Sequence, residues 1–86
     1  MLYIHKTFNH PRFGKAFHLM ADTREELLIA ARKIGLNPSW IQKPGTPYEH
    51  FDIMGKNIPK ALEIATRIDD REVVSLIRRK RDKKTN

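Results

Sequence analysis

Three side chains able to share a metal ion or a proton lie in two short segments. His18 sits in Ala16-Phe17-His18-Leu19-Met20, and His50 and Asp52 sit in His50-Phe51-Asp52-Ile53. Both segments read as strands, where side chains two residues apart share a face. His50-x-Asp52 therefore presents an imidazole and a carboxylate on one side, and His18 joins them if its strand is the neighbour. Two imidazoles and a carboxylate suit a divalent metal held on one face. They also suit acid–base work in which Asp52 orients a histidine. Either chemistry would make the chain a small hydrolase or nuclease. The competing expectation is a hydrogen-bonded trio that pins two strands and a helix start, because buried polar groups must be paired.

Two further groups bear on ligand binding. Trp40, Gln42 and Tyr48 flank the loop that ends at His50. An indole beside histidines and bases can stack a nucleobase, although a lone tryptophan in so small a chain is first expected in the core. The loop His10-Pro11-Arg12-Phe13-Gly14-Lys15 offers Arg12 as a fork and Lys15 as a point charge for a phosphate. It lacks the Gly-x-x-x-x-Gly-Lys-Ser/Thr spacing of a Walker loop, and a solvated turn is the alternative.

The net charge of +7 is polarised. Residues 78–86 carry six bases (Arg78, Arg79, Lys80, Arg81, Lys83, Lys84) and one acid, a net of +5. Residues 1–20 carry Lys6, Arg12 and Lys15 and no acid, and the body between is nearly neutral. A helix dipole needs only one or two cations in its last turn, so the basic end is expected to meet an anionic partner, nucleic acid or a nucleotide. Contact with about five phosphates would give a log–log salt slope of about −3.5 to −4.5. With no aromatic residue in the run, that contact would be electrostatic and blind to sequence.

These groups must be positioned by a small fold. Eighty-six residues make one domain with a modest core, expected over residues 1–77 with a basic tail over 78–86; a homodimer is compatible with so small a core. There is no cysteine, which fits a reducing cytoplasm. No apolar run approaches the ~18 residues of a membrane span, and the first residues do not read as a signal peptide.

Leu2-Tyr3-Ile4-His5 and Ala16–Met20 read as strands, with Thr7–Lys15 as the loop between them. Asp22 or Thr23 caps a helix carrying Leu27, Ala30, Ala31 and Ile34 and stopped by Gly35. Ser39-Trp40-Ile41-Gln42 and His50–Ile53 read as two more short strands. Ile58, Ala61, Leu62, Ala65 and Ile68 fit a second helix. Asp69 or Asp70 caps a third, with Val73, Val74, Leu76 and Ile77 as its apolar side. The expected order is β-β-α-β-β-α-α, an α+β fold with a small mixed sheet packed by two to three helices.

The ordered set His18-Leu19-Met20-Ala21-Asp22-Thr23, Glu26-Leu27, Ile34-Gly35, Trp40-Ile41-Gln42, His50-Phe51-Asp52, Lys60-Ala61, Arg71-Glu72 and Arg78-Arg79 resembles the bacterial and phage family called domain of unknown function 4031. The resemblance implies a fold and a set of recurrent polar positions over nearly the whole chain, and no reaction. This chain departs from it in carrying His5-Lys6 where many relatives have acids, and in a longer loop between Asp52 and Lys60. Three function classes stay open: a binding module for a phosphate-bearing anion, a small hydrolase or nuclease using His18, His50 and Asp52, and a protein-interaction module that inhibits or adapts a partner.

Overall fold

A computed structural model describes residues 1–12 and 14–84. Its elements are β1 (Leu2–His10), β2 (Gly14–Ala21), α1 (Arg24–Ile34), a 3-10 turn (Pro38–Trp40), β3 (Phe51–Met54), α2 (Asn57–Ile64), β4 (Thr66–Arg67) and α3 (Asp70–Lys84). The strands form one mixed sheet in the order β3-β2-β1-β4. β1 and β2 pair antiparallel, as do β2 and β3, while β4 runs parallel to β1. This is an α+β fold.

Period-two alternation divides the sheet into two faces. Ile4, Phe17, Leu19, Phe51 and Ile53 lie on one face and are buried against Leu27, Ala30, Ala31 and Ile34 of α1 and Ala61 of α2. The opposite face carries Tyr3 and Met20, which α3 covers with Leu76, alongside Ile68. The α3 residues packed on that face are Val73, Leu76 and Ile77, and His18 of β2 and Asp52 of β3 are not among the side chains they bury.

Local rules account for the best-defined elements. α1 starts at Thr23, whose hydroxyl accepts from the Glu26 amide at 3.2 Å and donates to the Glu26 carboxylate at 3.1 Å. It stops at Gly35, where φ is 90° and the amide reaches back to the Ala31 carbonyl. Asp69 and Glu72 exchange a reciprocal pair of bonds that open α3.

Four expectations are corrected. The stretch 7–15 is mostly strand: pairing continues past a bulge between Lys6 and Phe8 to a turn at Gly14, because backbone bonds zip the hairpin beyond its apolar residues. Ser39–Gln42 is not a strand. Pro38 and the Asn37 side chain, which accepts from the Ser39 amide at 2.9 Å, tighten it into a 3-10 turn, and Gln42 retains one antiparallel bridge with His50. The second helix ends at Ile64 and does not reach Ile68. The chain leaves it as β4, and the Ile68 amide bonds the Ile4 carbonyl at 3.0 Å. Trp40 is not a core residue: it is 58% exposed.

The basic run is helical rather than a separate tail, since α3 continues through Lys84. Phe13, Thr85 and Asn86 lie outside the described residues. Among the described residues, no helix is long and apolar enough to cross a membrane.

Candidate functional site

Register builds the site. His18 of β2 stands directly opposite Asp52 of β3 and, on its other side, opposite His5 of β1. Opposed residues in an antiparallel pair point to the same face. His50 is two residues before Asp52 and is fixed by two backbone bonds to Gln42, of 2.8 and 3.2 Å. His18, His50 and Asp52 therefore converge on the face that α3 leaves uncovered. Their potential ligand atoms all lie within 4.8 Å of one another, the one group of three such residues found among those described.

The geometry within the trio is specific. Asp52 Oδ1 stands 3.4 Å from His18 Nε2 and 3.4 Å from His50 Nε2. It is buried and accepts no hydrogen bond among the described residues, because neither contact has hydrogen-bond geometry. The two imidazole rings lie with centroids 4.0 Å apart, tilted by 35°. His50 Nδ1 lies 2.7 Å from the Tyr48 carbonyl oxygen. A carbonyl can only accept, so Nδ1 carries the proton and, in the neutral ring, Nε2 keeps its lone pair. Burial, with the adjacent His50 second, pushes the His18 pKa down to about 4. His18 is therefore neutral at pH 7, the state in which an imidazole binds a metal.

A lone pair on His50 thus faces an unbonded carboxylate oxygen beside a neutral His18. The hydrogen-bonded trio expected on structural grounds is not formed at Asp52 Oδ1. The spacing suits a cation: two donor atoms each about 2.05 Å from a tetrahedral ion stand about 3.3 Å apart, close to both observed 3.4 Å separations.

Beside the trio lies a cleft of about 740 Å³. Asp52 is shared between them. Leu36, Trp40 and Met54 supply apolar wall, and Ser39, Gln42, Lys56 and Asn57 supply polar groups. Tyr48 is exposed, with the Lys43 ammonium 5.6 Å from its ring centre.

Two of the expected phosphate-binding groups lie elsewhere. Arg12 is in the β1–β2 turn and Lys15 is three residues before His18, about 10 Å of strand away. Arg78, Arg79, Lys80 and Arg81 lie on α3. Arg79 is exposed but lies 3.5 Å from the Tyr3 hydroxyl and 3.8 Å from Asp22, which holds its pKa above the usual value. Lys80 is half-buried, beside a groove it shares with Asp22, Arg24 and Glu49.

One residue escaped the sequence reading. Glu49, only 5% exposed, accepts from Arg24 Nε at 3.2 Å and from the Gly45 amide at 3.1 Å. It ties the 43–48 loop to α1 and so fixes the approach to His50. The signal was available: Glu49 alternates with Phe51 and Ile53 on the core-facing side, where a carboxylate requires a partner.

The family model described as a protein of unknown function (DUF4031) matches residues 3–80, and the chain belongs to that family. No curated protein and no solved structure matches it.

Proposed function

We propose that the domain binds a divalent transition metal through His18, His50 and Asp52 and thereby holds a phosphate-bearing ligand in the Trp40 cleft. The observation that carries the reading is Asp52 Oδ1, a buried carboxylate oxygen without a hydrogen bond, 3.4 Å from two imidazole nitrogens. The Tyr48 carbonyl supports His50 from behind, as outer-shell acceptors do for metal-ligating histidines. A three-residue ligand set suits a working site more than a structural one, because structural sites are usually closed by four protein ligands. Lys56 on the cleft wall favours an anion there. The lack of cysteine fits a cytoplasmic setting.

Calorimetric titration of metal-free protein with Zn(II) and Mn(II) tests the reading. One site per chain is expected, lost in His50→Ala. Stoichiometric binding that survives His50→Ala and Asp52→Asn together would remove its basis.

A hydrolase is the second reading. It is favoured by a cleft, large enough for a substrate, that shares Asp52 with the trio. A metal held by His18, His50 and Asp52 would supply an activated water. Turnover of a chromogenic phosphate ester by metal-loaded protein but not by His50→Ala would distinguish hydrolysis from binding. The interaction-module reading draws less support. Val73 and Ile77 pack against the sheet, and of the apolar side expected for the third helix only Val74 is exposed.

A further inference from the structure

We propose that the cleft beside the trio is a mononucleotide site, in which the base stacks on Trp40 and the phosphate lies toward Asp52 and Lys56. The inference rests on the metal-binding reading for its phosphate end only, and its base end stands on separate observations.

Trp40 is the sole tryptophan of the chain, yet it is displayed at the surface. A fold of this size gains most by burying its largest apolar side chain, so an exposed indole forgoes part of that gain. The backbone beneath it is held in place. The Asn37 carboxamide oxygen accepts from both the amide and the hydroxyl of Ser39 at 2.9 Å, and the Trp40 amide bonds the Asn37 carbonyl at 2.9 Å. An exposed indole at the rim of a cleft, carried on a fixed turn, suits a flat aromatic ring.

The remaining lining narrows the ligand class. Leu36 and Met54 offer apolar surface for the edge of a ring. Gln42 and Asn57 each carry a carboxamide, which both donates and accepts. That pairing matches the mixed donor and acceptor edge of a nucleobase, which a plain hydrocarbon ring lacks. Lys56 adds a cation to the cleft wall, and Asp52 joins the cleft to the histidines. Gln42 is bonded backbone to backbone with His50, so the base-reading and metal-binding ends are held in one ladder. The cleft volume of about 740 Å³ falls within the usual range for small-molecule sites.

Trp40 is its own reporter. The experiment follows its fluorescence as zinc-loaded and metal-free full-length protein are titrated with AMP, GMP, CMP, UMP and ribose 5-phosphate, with calorimetry for the variants. Nucleotides should quench the emission, purines most strongly, and ribose 5-phosphate should bind at least about 10-fold more weakly. Trp40→Leu should lose about 10-fold or more in nucleotide affinity with zinc affinity unchanged, and Trp40→Phe should recover part of the loss. Equal binding of AMP and ribose 5-phosphate overturns the proposal. So does nucleotide affinity unchanged in Trp40→Leu, or capture of an oligonucleotide by a protein that ignores all four mononucleotides. If zinc fails to bind but nucleotides still quench, the metal reading falls and the base site stands. If zinc binds and nucleotides leave the emission unchanged, the base site falls and the metal reading stands.

Discussion

Asp52 is the residue at which a structural role and a ligand role make opposite predictions. A carboxylate retained to pin two strands would be hydrogen-bonded, and its removal would weaken the fold. Here its buried oxygen accepts no hydrogen bond and faces a lone pair on His50. Asp52→Asn replaces the charge with an amide that can donate to the imidazole nitrogens. The metal-free variant should therefore match or exceed the parent in thermal stability. A gain of 1 kcal/mol would raise Tm by about 4–8 °C in a domain of this size. The same change should weaken zinc binding by about 100-fold or more. A clear fall in Tm, read by circular dichroism without metal, would assign Asp52 to the fold instead.

His18 adds a pH dependence whose sign is fixed. Unfolded, it protonates near its ordinary value of 6.5; folded, burial and His50 hold it near 4. Between those values acid adds a proton to the unfolded chain alone, so His18's contribution to stability is full above pH 6.5 and is lost as pH falls toward 4. Partial exposure limits the effect to at most about 3 kcal/mol. Urea midpoints measured from pH 7 to 4 should fall less steeply in His18→Gln than in the parent. Parallel curves would show that His18 is not buried in its neutral form.

At the scale of elements, the site depends on a loop as much as on strands. Glu49 gathers the Gly45 amide and Arg24 into one buried bond set immediately before His50. Glu49→Ala removes the acceptor shared by that amide and Arg24 and loosens the 43–48 loop. It should cost about 1–3 kcal/mol and weaken zinc binding about 3- to 10-fold, although Glu49 is not a ligand. Glu49→Gln retains an acceptor for Gly45 and should lose less on both counts. Denaturation and calorimetry together check this, and unchanged zinc affinity in Glu49→Ala would separate the loop from the site.

Legibility also follows the elements. α1 was readable because cap, apolar period and glycine stop all agree on its bounds. The shared face of His50 and Asp52 followed from alternation alone. That His18 stands opposite Asp52 required strand order, which local pattern does not encode. β4 was hidden because Ala65 and Ile68 continue a helical spacing, and only pairing with β1 draws the chain out of it. Trp40 was misjudged because residue type predicts average burial, while the turn set by Asn37 and Pro38 decides where this indole points.

At the scale of the molecule, the basic run is helical through Lys84, and this alters what it can do. As a free tail, residues 78–86 could lay all six cations along a chain of phosphates. As a helix they are spread around an axis by about 100° per residue. Arg79, although exposed, is engaged with Tyr3 and Asp22, and Lys80 is half-buried. Arg78, Arg81 and Lys83 are exposed. Three phosphate contacts on single-stranded DNA correspond to a log–log salt slope of about −2, against about −3.5 for five. Anisotropy of a labelled oligonucleotide, titrated at several salt concentrations, distinguishes the two. Arg78→Gln with Arg81→Gln should flatten the slope by about 1.4, while Arg79→Gln should lower stability and leave the slope nearly unchanged. A slope of −3.5 or steeper would mean that the last turns of α3 unwind to reach the strand, and that the contacts of Arg79 are surrendered on binding.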